Sequence, residues 1–167
     1  MILEKYIWAL PNAFSDVELQ EIESIALQHD LQEAFIGDNQ LTEHGEKHEG
    51  KSDSEIRTSS LRWIENLSTP LEDKISDLVN QCYSETGWYW NILNHQTWQY
   101  TVYNEQPNRK RGDFYTWHTD AGPNPYPDGT IRKLSCTIQL SSPDEYEGGH
   151  FQWLDAVAEF DRMQDSS

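Results

Sequence analysis

Apolar residues recur three and four positions apart in two stretches, and these predict the helices. Leu19, Ile22, Ile25 and Ala26 follow Ser15-Asp16-Val17-Glu18, in which serine and glutamate can reciprocally satisfy the free amide donors of a first turn. A helix to about His29 is expected. Leu71, Ile75, Leu78, Val79 and Cys82 share one helical face behind Thr69-Pro70-Leu71-Glu72, a second such box with proline at the first helical position, and Gly87 is placed to end that helix. Between and after these, the pattern is strand-like. ILEKYIWAL (2–10) reads as a first strand before Pro11, and EIRTSSLRWI (55–64) as another, with Arg57 and Arg62 on an exposed face. Past Gly87 the period shortens. WQYTVY (98–103), FYTWHTD (114–120), RKLSCTIQLS (132–141) and GGHFQWLD (148–155) are the strand candidates, and in the third Leu134, Cys136, Ile138 and Leu140 alternate with polar residues. Helices followed by short strands between turn residues predict an α+β domain whose strands form a sandwich or barrel.

Two segments carry no such pattern. Residues 37–53 are polar and read as a loop; His44 and His48 are four apart, but Gly45 and the lack of an apolar face argue against a helical metal pair. The tail AEFDRMQDSS is polar and carries no motif.

Charge and length narrow the function. At 167 residues one domain is expected, and 29 acidic against 12 basic residues give a net charge of −17, which repels phosphate backbones and argues against nucleic acid as a partner. No leader peptide and no apolar run of membrane-spanning length is seen. The two cysteines, Cys82 and Cys136, stand far apart in apolar settings and read as core thiols of a reducing compartment, so a cytoplasmic protein is expected.

The chemistry concentrates in GDFYTWHTDAG. On a strand, residues two apart face the same side, so His118 and Asp120 would project together with Phe114 and Thr116. An imidazole and a carboxylate so placed suit two neighbouring corners of a six-coordinate ion, and a second histidine would complete a 2-His-1-carboxylate face with three open positions. Zinc hydrolysis, with its preference for three nitrogen or sulfur ligands or paired helical histidines, fits less well. The rival reading is a polar strand end turning into AGPNPYPDG.

The order of blocks resembles the iron(II)- and 2-oxoglutarate-dependent dioxygenases, in their prolyl-4-hydroxylase-like branch. Gly112, Tyr115, His118 and Asp120 match a G-x-x-Y-x-x-H-x-D block; Leu140-Ser141, Pro143-Asp144-Glu145 and Gly148-Gly149 match the serine/threonine-rich strand, acidic turn and glycine pair that follow it. The resemblance covers most of residues 55–155. It implies a double-stranded β-helix, a jelly-roll or cupin-like barrel, with the N-terminal helices packed on its major sheet: residues 1–95 as support and 96–155 as barrel strands. It implies His118 and Asp120 as iron ligands, Tyr103 as a contact to 2-oxoglutarate and Tyr115 as a residue near the substrate, with barrel packing the rival role for both tyrosines. Trp117 and Trp153 read as structural aromatics, and Arg57 and Arg62 are candidates for the substrate mouth, with an exposed strand face the preferred reading. The implied reaction hydroxylates a C–H bond of a peptidyl-prolyl or other amino-acid-like substrate, protein, peptide or small molecule. It consumes O2 and 2-oxoglutarate, releases succinate and CO2, and can use ascorbate as reductant.

The sequence departs from that pattern at its end. A distal histidine and, beyond it, an arginine or lysine for the far carboxylate of 2-oxoglutarate are not found; Arg162 is the only basic residue after His150. His150 directly follows the glycine pair and is off the expected metal strand. The expectation is therefore a single incomplete domain lacking its C-terminal strands, with a non-catalytic barrel that binds or scaffolds as the alternative function. A cupin-type metal protein is a weaker third reading, since cupins cluster more histidines.

Overall fold

The computed structural model describes residues 2–3, 7–34, 56–87, 90–107, 111–121, 124–155 and 158–161. The 37–53 loop with His44 and His48 lies outside them. The chain is α+β and divides into two units, residues 1–135 and 136–167.

In the first unit the N-terminal stretch is two short strands, β1 (Ile2–Leu3) and β2 (Trp8–Ala9), paired antiparallel with each other, where a single strand was expected. Helix α1 (Asp16–Ala26) opens as anticipated: Glu18 accepts from the Ser15 amide at 2.7 Å while Ser15 Oγ accepts from the Glu18 amide at 3.4 Å. Its buried residues, Ile22 and Ala26, are one turn apart, and the helix lies against β5 (Ser60–Ile64).

Strand β5 is the centre of the larger sheet, flanked by β3 (Gln32–Glu33) and β6 (Trp98–Val102), both antiparallel to it. Leu61 and Ile64 have opposite parity yet both are buried, so each face of β5 is covered at one position, while Trp63 on Leu61's face stays exposed. The expected strand 55–64 is in fact two. Arg57 and Thr58 form β4, which pairs with β7 (Phe114–Tyr115) in a separate two-stranded sheet. The break falls at Ser59, which is buried and whose carbonyl accepts from the Ala34 amide at 2.9 Å.

Helix α2 (Thr69–Thr86) starts one residue earlier than the sequence suggests, with Ser68 as N-cap and Pro70 at the second helical position; proline is tolerated there because first-turn amides have no intrahelical partner. Ser68 Oγ is buried with no partner among the described residues, while the Ser68 carbonyl accepts from the Leu71 and Glu72 amides at 3.0 Å and the Glu72 carboxylate accepts from the Leu67 amide at 3.0 Å. The helix ends at Gly87 in the left-handed conformation, as expected. Leu71, Ile75 and Cys82 form its buried face, and together with Ile22, Ala26, Ala34, Leu61, Ile64 and Leu67 they are the core among the described residues. The two helices are also tied by charge: Lys74 Nζ lies 2.6 Å from Glu18 Oε1 and 4.9 Å above the Phe14 ring. None of the described helices is long and apolar enough to cross a membrane.

In the second unit, Pro143–Glu145 form one turn of 3-10 helix, closed by the Glu145 carboxylate on the Ser142 amide at 3.0 Å. Gly148 and Gly149 follow at φ 79° and 63°, a conformation that side chains with a Cβ resist. Then β8 (Gln152–Asp155) pairs with β9 (Ala158–Asp161), so part of the supposed motif-free tail is a strand. Residues 132–141, expected as a strand, are neither helix nor strand. Their inside–outside alternation is half present: Leu134, Ile138 and Leu140 are partly buried, but Cys136 is exposed, not the core thiol anticipated.

Truncating Leu71, which is 2% exposed, to alanine is expected to destabilise the protein by about 2–5 kcal/mol in denaturant unfolding. The ion pair should show in acid. Lys74, with the Ser15 amide and hydroxyl, lowers the Glu18 carboxyl from 4.5 to about 2. A depressed folded-state value gives stability that is present above the unfolded value and lost as pH falls through the folded one. Thermal melts should therefore place Glu18→Gln below the parent at pH 7, with the gap closing between pH 4.5 and 2.

Candidate metal and ligand site

The site is built on β7. Its entry is fixed by a tight approach of the chain to the end of β6: the Asp113 amide donates to the Asn104 carbonyl at 2.8 Å, and the Asp113 carboxylate accepts from the Asn104 amide at 2.9 Å and from Gln106 Nε2 at 3.0 Å. A Cβ on Gly112 would stand 3.1 Å from that same Asn104 carbonyl oxygen, which is why glycine precedes Asp113. Antiparallel pairing then sets Tyr115 opposite Arg57 and Phe114 opposite Thr58, and one more bond, Thr116 amide to Ile56 carbonyl at 2.8 Å, extends the ladder.

The strand ends at Tyr115, so His118 and Asp120 are not alternate residues of an extended segment, and the same-face argument does not hold. Local bending still brings them together. His118 Nε2 lies 3.2 Å from Asp120 Oδ1, its Nδ1 lies 2.7 Å from the Thr116 carbonyl oxygen, and its ring stacks on Tyr115 with centroids 3.5 Å apart and planes 11° from parallel. Both side chains are partly open to solvent, at 34% and 46%. Arg132 braces the far end, with Nη1 donating to the Asp120 carbonyl at 2.9 Å and Nε to Gln96 Oε1 at 2.9 Å.

This geometry constrains what sits at His118. A neutral imidazole carries one N–H and one lone pair, yet here both nitrogens face oxygen acceptors. With Nδ1–H committed to the Thr116 carbonyl, the Nε2 lone pair points at a carboxylate, which is repulsive unless a second proton or a cation lies between. Two ligand atoms each about 2.1 Å from an ion, at right angles, stand about 3.0 Å apart, close to what is found. A histidine whose other nitrogen is held by a backbone carbonyl is also the usual arrangement around a bound metal. The donor set thus fits two corners of a metal site. No group of three or more His, Cys, Asp or Glu able to hold a metal occurs among the described residues. No protein-family model, curated protein or solved structure matches this chain.

The other predicted site residues are distributed unevenly around this pair. Tyr115 is half-buried; burial raises its phenol above the ordinary value, Arg57 and Arg132 pull the other way, and Asp120 and Tyr103 add to the rise. Tyr103 is 50% exposed, and Trp117, expected to pack structurally, is 56% exposed. His150 is exposed in the second unit. Arg57 is the clearest correction. It is not on an exposed face but 8% accessible, with its guanidinium carbon 4.6 Å from the Tyr115 ring centroid and Nε donating to Ser59 Oγ at 2.8 Å. Arg62 is half-buried and donates from Nη1 to the His29 carbonyl. Arg132 carries no motif of its own, and its partners Gln96 and Asp120 lie 36 and 12 positions away, a pairing no local pattern signals.

Replacing Tyr115 with leucine should release the His118 ring. In proton NMR, the His118 ring signals are expected upfield in the parent from the tyrosine ring current and near their random-coil positions in Tyr115→Leu, with a stability loss of about 0.5–1.5 kcal/mol beyond lost burial.

Proposed function

We propose that this chain carries the His-x-Asp part of an iron(II)- and 2-oxoglutarate-dependent dioxygenase that hydroxylates a C–H bond of a peptidyl-prolyl or other amino-acid-like substrate. The observation that carries the reading is the convergence of His118 Nε2 and Asp120 Oδ1 at 3.2 Å, with Nδ1 tied back to the Thr116 carbonyl. On this reading those two atoms are metal ligands, and the antiparallel pairs around β5 and β7 belong to a double-stranded β-helix. Bound Fe(II), with 2-oxoglutarate and O2, supplies the oxidising power for hydroxylation, giving succinate and CO2, with ascorbate as a reductant that keeps the ion ferrous.

The protein's own share is placement. The Thr116 carbonyl fixes the His118 tautomer, the Tyr115 ring fixes its plane, and Arg132 holds the backbone at Asp120. On this reading Tyr103 is the contact for 2-oxoglutarate and Tyr115 lies near the substrate. Neither Cys82 nor Cys136 is in a disulfide, which fits a cytoplasmic setting. The rival reading, a barrel that binds or scaffolds without catalysis, draws on the finding that only two donors meet among the described residues.

Calorimetry with Mn(II), a redox-silent substitute for Fe(II), in the presence of 2-oxoglutarate separates the two. Micromolar binding that weakens at least tenfold in both His118→Ala and Asp120→Ala, together with succinate release under Fe(II), 2-oxoglutarate and ascorbate, is the expected result. Mn(II) affinity that is absent, or indifferent to both substitutions, overturns the metal reading.

A further inference from the structure

The stack beside His118 has a third layer. An imidazole lying 3.5 Å from the Tyr115 centroid and nearly parallel to it occupies one face of that ring, so the Arg57 guanidinium, 4.6 Å from the same centroid, must occupy the other. The order is His118, Tyr115, Arg57. Arg57 is 8% exposed, and a charge that deeply placed is expensive unless an anion or a full set of acceptors compensates it. Only part of that compensation is found. Its Nε is satisfied by Ser59 Oγ at 2.8 Å, and the tyrosine face contributes a cation–π contact. Among the described residues no carboxylate forms an ion pair with it: the ion pairs there are Lys74 with Glu18 and His118 with Asp120. The Nη1 and Nη2 edge, the fork that matches a carboxylate, meets no acceptor among the described residues.

We propose that Arg57 is an anion anchor, receiving the carboxylate of a ligand that lies alongside Tyr115 next to the His118–Asp120 pair. The pairing of β4 with β7 sets the guanidinium against Tyr115, Ser59 fixes the fork by its Nε, and the tyrosine ring holds the plane, so the group is oriented before a ligand arrives. Arg132 adds a second cation near the same tyrosine, and Asp120 is the nearby carboxylate, itself engaged by His118. The proposal does not depend on iron: it concerns the opposite face of Tyr115 and predicts binding to metal-free protein.

The carboxylate can belong to a small diacid or to an acidic residue of a peptide, and the test uses both. Succinate, its uncharged analogue succinamide, and acetyl-Gly-Glu-Gly-amide are titrated into chelator-stripped protein by calorimetry. Succinate, the peptide, or both should bind and succinamide should not; the better ligand identifies the source. Arg57→Met should weaken the bound carboxylate at least tenfold, and Arg57→Lys less so. Carboxylate binding by the chelator-stripped parent separates this claim from metal binding. Should Arg57→Met fail to fold, the Arg57 Nε–Hε resonance of the parent protein is followed instead, and it should move on adding succinate or the peptide but not succinamide. Carboxylate affinity unchanged by Arg57→Met, an unmoved Arg57 resonance, or no carboxylate binding by the parent would overturn the proposal.

Discussion

At Ser59 an extended run of chain changes partners. Before it, Arg57 and Thr58 pair with β7; after it, Ser60 to Ile64 pair with β3 and β6. One buried serine therefore links the sheet that makes the core to the sheet that makes the site. Its carbonyl is bound to Ala34 and its hydroxyl to Arg57, so neither polar group is left unsatisfied where water is excluded. The two sheets cannot shift independently without breaking one of these bonds. Core packing through Leu61 and Ile64 is thereby coupled to the position of Tyr115 and, through the ring stack, to His118.

The helices were legible because their signals are local. A capping box, a 3.6-residue apolar repeat and a terminal glycine lie within one segment and do not depend on what the segment packs against, so the start of α1 and the end of α2 follow from the residues alone, whereas α1, with no terminal glycine, ends at Ala26, short of the expected His29. The start of α2 differs by one residue because its cap, Ser68, makes no side-chain capping bond that a sequence pattern could signal; only its carbonyl accepts, from the Leu71 and Glu72 amides. Strands fared worse for the same reason. The run 55–64 has one continuous composition, yet it splits where its neighbours change, and residues 132–141 carry strand-like alternation without a ladder among the described residues. Alternation specifies a face to be buried, not a partner to pair with.

At the site, the pair His118 and Asp120 was visible as a motif, but the reason they meet was not. They meet through a bend after Tyr115 and a histidine held at three points, not through the two-residue period of a strand. Arg57 was misplaced because an arginine in a polar strand usually faces solvent. What buries it is its cross-strand neighbour Tyr115, fifty-eight positions on, and that register cannot be read from either segment alone.

Charge distribution closes the argument. The chain is strongly acidic on average, which would suggest a site hostile to anions. Around β7 the balance is reversed: Arg111 stacks 3.3 Å over Phe114, Arg57 covers Tyr115, and Arg132 grips the backbone at Asp120. Among the described residues, Asp113 there is engaged by Asn104 and Gln106, and Asp120 faces His118. A divalent ion at the His118–Asp120 pair would add two positive charges to a place that already has more guanidinium than free carboxylate. Such a site approaches neutrality when its ligand brings negative charge. Metal and anion would thus favour each other's binding through ordinary Coulomb attraction, with no conformational change needed to couple them.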